Sequence, residues 1–282
     1  MASDCPQVIA TSDAPHGEAT SDPSLPSGTP ERNGRAERTI GLHPASYEAS
    51  AQDYVLPCLL GDYEDATFRF ETADGAACEQ TVRGWTQGGC RFVWSTVLPH
   101  VVAANLSRLA DRLVLELGAG CGLVGLLAAH AARRVLLTDG DLAEVALCEE
   151  NAAQHAPKGA QVEARHLAWG AGPAREFQRQ TGLQNVDVIL ASQVVYVPAC
   201  IPALVETFAE MLAPSGEIWL YNDRVSYSLG PMGQATCRAL LDAALLKHNF
   251  VATDIVGTDF HLPHDFGSLP SWAYLLRITR AG

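Results

Sequence analysis

The chain has 282 residues, 48% of them hydrophobic, with a formal net charge of −13. This is enough apolar material for one large α/β domain or two small ones, and no apolar run approaches the length of a membrane span. An acidic surface repels phosphate backbones, so it argues against direct nucleic-acid binding and leaves a basic partner or a small molecule.

Residues 1–45 are rich in Ser, Pro, Asp, Gly and Thr and poor in large apolar side chains. They are predicted to be a disordered tail. The segment has neither a basic start nor an apolar block, and it is too acidic for a transit peptide. The expected location is cytoplasmic, with the nucleus as the alternative. The eight cysteines include no CxxC pair, the closest two being Cys78 and Cys90. Reduced, mostly buried thiols and no metal site are expected.

From Tyr54 the texture changes. "TFRFETADGAACEQTVRGW" contains two alternating runs around Asp74-Gly75, which predicts a hairpin. "FVWSTVLPHVVAANLSRLA" predicts an apolar helix with Trp94 near its start and Pro99 in an early turn. Together these form an N-terminal hairpin and helix over 46–110, packing on a core over 111–282. In that core strand and helix alternate: strand "RLVLEL", helix "GLVGLLAAHAA", strand "RVLLTD", helix "DLAEVALCEENAAQHA", strand "QVEARHL", then a Gly/Pro-containing segment to about Gly182. There follow strand "DVILAS", helix "IPALVETFAEML", strand "GEIWLYND", helix "QATCRALLDAALLKH" and two strands, "FVATDIV" and "SWAYLLRITR", with no helix between them. Continuous apolar runs suit parallel strands covered on both faces. The fold class is therefore α/β: a doubly wound, Rossmann-like, mostly parallel sheet of seven strands, with an antiparallel C-terminal edge and helices on both faces.

Between the first core strand and its helix lies "ELGAGCGLVG", with glycines at 118, 120, 122 and 125. Glycine weakens helices and strands, so bare backbone must be needed there. In open α/β sheets ligands bind outside the carboxyl ends of strands, next to helix N-termini that offer free N–H groups. Gly120 to Gly125 fits the dinucleotide pattern GxGxxG, a weak signal alone. Glu116, two residues ahead of Gly118, suits a nucleoside cofactor that carries a cationic amine, which S-adenosylmethionine has and NAD lacks. Asp139, ending the next strand, is placed to accept from ribose hydroxyls of either cofactor.

With these blocks in order, the sequence resembles the seven-strand S-adenosylmethionine-dependent methyltransferases, and within them the methyltransferase-like protein-lysine methyltransferases of family 16. The resemblance runs from about Trp85 to the C-terminus. It rests on "FVWSTVLPH", "LELGAGCGLVG", "LLTDGD", "HLAWG" and "DVILASQVVY". It implies that Trp94 lies over the methionine end of S-adenosylmethionine, that Gly118, Ala119 and Gly120 allow close backbone approach with Glu116 near the amino group, and that Asp139 binds the ribose. Trp169 would flank the adenine and Ser192 would line the pocket.

The resemblance also implies an acid opening the block after the fourth core strand, where this chain has Gln193, followed by Tyr196. Gln193 and Tyr196 are the expected residues beside the transferring methyl. Gln is neutral and both donates and accepts; it orients an amine but is no base. A lysine acceptor, with an ordinary pKa of about 10.4, must lose its proton before it attacks, and desolvation favours that loss.

His261 and His264 form HxxH without further ligands, which rarely makes a metal site. Glu149, Glu150 and Asn151 look like an exposed helix face and its end, and Asp187 looks structural. Asp223 and Arg224 border the cleft and are weak substrate-contact candidates. The expectation is a protein-lysine N-methyltransferase, expected to be a monomer, that acts on a basic or lysine-containing segment of a protein substrate and uses no metal, nucleic acid or membrane. The alternatives are a cofactor-binding pseudo-enzyme, a methyltransferase for arginine or a small molecule, and last a dehydrogenase.

Overall fold

The computed structural model describes residues 58–59, 65–84, 92–223, 230–262, 269 and 273–282. The predicted tail over 1–45 lies outside the described residues, as do Arg224 and His264. The first elements are β1 (Cys58–Leu59), β2 (Asp65–Glu71), β3 (Ala77–Arg83) and β4 (Phe92–Val93). β2 and β3 form the expected antiparallel hairpin, with Glu71 opposite Ala77 and Gly75 at φ +79° in the turn. β1 pairs with β4.

The predicted first helix is shorter and broken. Phe92–Val93 is strand, and α1 (Val97–Ala104) begins three residues after Trp94. Ser95 Oγ accepts the Val97 N–H at 3.1 Å and so helps start the helix. Asn105 separates α1 from α2 (Leu106–Leu109), because its side chain is fully engaged: it donates to Val101 O at 2.8 Å and His261 O at 2.7 Å and accepts the His261 N–H at 3.0 Å.

The core follows as β5 (Leu113–Leu117), α3 (Leu123–Ala128), β6 (Arg134–Asp139), α4 (Leu142–His155), β7 (Val162–His166), α5 (Ala171–Thr181), β8 (Val186–Ser192), α6 (Ile201–Met211), β9 (Leu212–Asn222), α7 (Gly230–Lys247), β10 (Phe250–Asp254) and β11 (Tyr274–Arg280). The sheet order is β10-β11-β9-β8-β5-β6-β7. β8, β5, β6 and β7 run parallel with β9, and β11 is antiparallel to both β9 and β10. The C-terminal edge is thus antiparallel as expected, with the last strand tucked inside and β10 outermost.

Strand side chains alternate between two apolar layers. Val114, Val188 and Trp219 face α1, α3, α4 and the hairpin; Leu115, Ile189 and Ile218 face α5, α6 and α7. Each large apolar side chain removed from water here contributes about 1.5–3 kcal/mol.

The Gly/Pro-containing segment up to about Gly182, for which no helix is predicted, contains α5. Its sequence AGPAREFQRQT is mostly polar, and only Ala174 and Phe177, spaced i, i+3, are buried. Pro173 falls in the first turn, where no intrahelical N–H bond is lost. Cys78, Cys121, Cys148 and Cys237 are free and buried as expected, whereas Cys200 is disulfide-bonded, contrary to the expectation of reduced thiols throughout. Among the described residues no helix is long and apolar enough to cross a membrane.

Candidate active site

β5 and β8 are neighbouring parallel strands whose onward connections run in opposite directions, β5 toward β6 and β7, β8 toward β9. Connections that diverge leave a crevice at the carboxyl ends of the two strands, the usual ligand position in such sheets. Gly118–Gly120 follow β5, Asp139 ends β6, Trp169 follows β7, Ser192 ends β8 and Gln193 follows it. Trp94 comes instead from the stretch between β4 and α1.

The glycine turn is held by Ala119 N–H to Thr138 O at 3.0 Å and Gly122 N–H to Ala119 O at 2.8 Å. Gly118 has φ +67°, and a Cβ on it would sit 2.8 Å from Val194 Cγ1 and 3.7 Å from Trp169 Cζ2. The bare backbone therefore lets segments from three strand ends meet. Gly125 answers a different need. A Cβ there would come within 2.2 Å of Leu137 Cδ2 and 2.6 Å of Glu116 Oε2, so its absence lets α3 lie directly on the sheet.

Asp139 is half-buried and oriented by backbone: Oδ2 accepts Gly120 N–H at 3.1 Å and Oδ1 accepts Asp141 N–H at 3.0 Å. Burial pushes its carboxyl up, and these amides pull in the other direction. Asp141 in turn caps α4 by accepting Ala143 N–H at 2.8 Å.

Glu116 is only 3% exposed, and its Oε2 accepts Gly125 N–H at 2.8 Å. The N-cap of α3 is Gly122, which has no side chain to offer, so Glu116 caps the helix from the strand beneath it. Burial first, then Cys121 and Asp139 nearby, hold its acid well above the usual carboxylate range against the opposing Gly125 amide. Nothing in the local spacing reveals this capping task.

On the other side of the crevice, Gln193 is 4% exposed and sits at φ +59°, a left-handed conformation that few non-glycine residues adopt. Its N–H donates to Tyr221 O at 2.9 Å. Its side-chain Nε2 donates to Asp223 Oδ1, and its Oε1 accepts the Asp223 N–H at 3.3 Å. Tyr221 OH donates to Asp223 Oδ2 at 2.6 Å, and buried Asn222 accepts the Val195 N–H at 2.9 Å. Burial raises the Asp223 carboxyl, while the Tyr221 and Gln193 donors lower it. Ser192, Trp94, Trp169 and Tyr196 are half-buried. Trp169 precedes Gly170, whose N–H is fixed by Thr207 Oγ1 at 2.8 Å.

Asn151, expected at an exposed helix end, is fully buried. It donates to Cys121 O at 2.8 Å and Arg83 O at 3.0 Å and accepts Arg83 N–H at 2.8 Å, tying the hairpin to the glycine turn. Its i, i+3 relation to buried Cys148 is the signal that would have placed it on the inner face. Asp187 is structural as expected, accepting Leu113 N–H at 2.8 Å. His261 is exposed, and among the described residues no group of three or more His, Cys, Asp or Glu is arranged to hold a metal.

A solved structure of the candidate methyltransferase SMU.776, complexed with SAH, is similar in fold: TM-score 0.50, 14% identity, covering 71% of this chain and 53% of that one. Protein N-lysine methyltransferase METTL21A of Xenopus tropicalis is 32% identical over 148 residues, 51% of this chain and 65% of its own length. EEF1A lysine methyltransferase 3 of Mus musculus is 32% identical over 109 residues, 39% of this chain and 44% of its own length. The chain thus spans less than two thirds of the length of these relatives. A family model described as lysine methyltransferase matches residues 83–227, from the end of the hairpin through the glycine turn, Asp139, Trp169, Gln193 and Asp223. The chain belongs to this lysine methyltransferase family.

Proposed function

We propose that this protein is an S-adenosylmethionine-dependent N-methyltransferase that modifies a lysine side chain of a protein substrate. The observation that carries the reading is the crevice between β5 and β8, where the glycine turn and Asp139 meet the Gln193–Asp223 pair in a chain of the lysine methyltransferase family. The names of the relatives METTL21A, a protein N-lysine methyltransferase, and EEF1A lysine methyltransferase 3 support a protein lysine as acceptor.

The residues present fit the cofactor. A Cβ at Gly118 would fill the space by Val194 and Trp169, and Asp139 holds its oxygens in place through two backbone amides while keeping acceptor sites for sugar hydroxyls. Asp139 would hold the ribose, Gly118, Ala119 and Gly120 would border the amino-acid chain, and Trp94, Trp169 and Ser192 would complete the pocket walls. When bound, S-adenosylmethionine supplies a methyl group on a cationic sulfur, open to in-line attack by a neutral amine.

The chain's own part is placement and desolvation. Gln193 and Tyr196 leave β8 beside the glycine turn, where an amine entering the crevice is stripped of water and more readily gives up its proton. The acidic surface favours approach of a basic segment. Calorimetry with S-adenosylmethionine against NAD tests the cofactor. Mass spectrometry of cell-extract proteins after incubation with the enzyme and labelled cofactor tests the acceptor. Binding of NAD instead, or methyl groups found only on arginine or small molecules, overturns the reading.

A further inference from the structure

We infer that Asp223 is the carboxylate that receives the substrate's ammonium group, and that Gln193 is the residue that positions it. The inference rests on the proposed amine-methylating function.

Asp223 follows β9, next to β8 and one strand from β5, so it stands on the rim of the crevice. Two side chains aim it. Tyr221 OH holds Oδ2 at 2.6 Å and Gln193 Nε2 holds Oδ1. A carboxylate has about four acceptor sites, and these donors occupy two, leaving both oxygens able to accept again. Gln193 also accepts the Asp223 N–H, so one amide side chain contacts backbone and carboxylate of the same residue. A neutral amide does both at once, through separate atoms. A carboxylate at 193 would accept the N–H but meet Asp223 with like charge.

Gln193 is moreover held at φ +59°, a left-handed conformation that is strained for a non-glycine residue and persists where surrounding contacts over-determine it. Here those contacts are the Tyr221 carbonyl, Asp223 and, two residues on, Asn222. Strain, burial and a reciprocal hydrogen-bonded pair all converge on holding one half-buried anion at the mouth of the site. A half-buried anion whose two fixed partners are neutral donors gains most from a cation, and a lysine ammonium brings three N–H donors.

The test uses the full chain with N-acetyl-lysine methylamide as probe and N-acetyl-norleucine methylamide, which lacks the amine, as reference. Each is titrated by saturation-transfer NMR, with and without S-adenosylhomocysteine. The wild type should prefer the lysine probe, and Asp223→Asn should weaken it about tenfold or more without changing its norleucine affinity. Gln193→Leu should weaken the lysine probe while leaving S-adenosylhomocysteine affinity intact; a purely structural role would lower both together. Equal lysine affinity in wild type and Asp223→Asn overturns the inference, as does a wild type with no preference for lysine over norleucine. Failure of S-adenosylhomocysteine to bind would overturn the cofactor assignment instead, and the titration without it would still decide Asp223.

Discussion

On the β5–β6 side of the crevice, the polar contacts run between carboxylates and backbone amides: Asp139 to Gly120 and Asp141, Glu116 to Gly125. On the β8–β9 side backbone amides are also engaged, and in addition three side chains bond one another, Gln193 to Asp223 to Tyr221. The difference separates two kinds of specificity. The first side is shaped by where Cβ atoms are missing and has little room for change. The second is shaped by the identity of three side chains, so the acceptor it favours can change without disturbing the turn opposite.

The largest effect should come from the first side. Gly125→Ala places a Cβ 2.2 Å from Leu137 Cδ2 and 2.6 Å from Glu116 Oε2, so these buried side chains or α3 itself must move. Overpacking of this kind costs about 3 kcal/mol, which chemical denaturation would read directly. A variant as stable as the wild type would show that α3 is not seated as tightly as the backbone-built side requires. Gly118→Ala is expected to cost less stability but more function. Its φ of +67° disfavours Ala by about 1–2 kcal/mol, and its Cβ pushes on Val194 and then Trp169. S-adenosylmethionine affinity should fall about tenfold by calorimetry while the fold persists, and unchanged affinity would detach Gly118 from the ligand.

The second side gives a prediction of opposite character. Gln193→Asp introduces the acid that the family resemblance implies at this position; were Gln193 a lesion, the site would be repaired and labelled methyl transfer would rise. The geometry predicts the reverse. The new side chain donates to Asp223 only when protonated, and two acids held that close at a buried and a half-buried position do not both ionise readily. Methyl transfer to extract proteins should drop about tenfold, equivalent to ~1.4 kcal/mol. A rise would show that Gln193 is a lesion and that the side-chain-built rim has lost its task.

How much of this was legible in the sequence follows the same division. The β5–β6 side was readable because glycines and a strand-ending acid leave local marks: Gly118, Gly120 and Asp139 lie where their spacing put them, and the sheet's strands follow from continuous apolar runs. Gln193 was visible only as an oddity, because its partner Asp223 lies 30 residues on and meets it through the pairing of β8 with β9. The break between α1 and α2 was hidden for the same reason, since Asn105 stops the helix by bonding His261 far down the chain. α5 was missed because a polar helix needs only Ala174 and Phe177 to anchor it, too few to leave a period. Asn151 was misjudged in role, and the capping task of Glu116 was hidden, as burial of a polar residue becomes visible only once its partners are in place.

Glu116 offers the smallest and most selective test, because it belongs to both the turn and the helix above it. Its acid is held well above the 4.5 of an exposed glutamate, so the folded state keeps the proton where the unfolded chain releases it. The unfolded state therefore gains relative stability as pH rises above about 4.5, and the wild type loses stability through that range. Glu116→Gln keeps an acceptor for the Gly125 N–H and cannot ionise. It should match the wild type near pH 4.5 and become the more stable of the two toward pH 7. Glu116→Ala removes the acceptor and should be about 1–2 kcal/mol less stable than Glu116→Gln at every pH, its deficit against the wild type shrinking as pH rises above about 4.5. Thermal melts of the three proteins across this range isolate the one group, since every other titrating residue is shared. If Glu116→Gln instead melts like the wild type at all pH values yet binds S-adenosylmethionine more weakly, the acid serves the ligand's amine rather than the helix, and the β5–β6 side depends on a charged side chain after all.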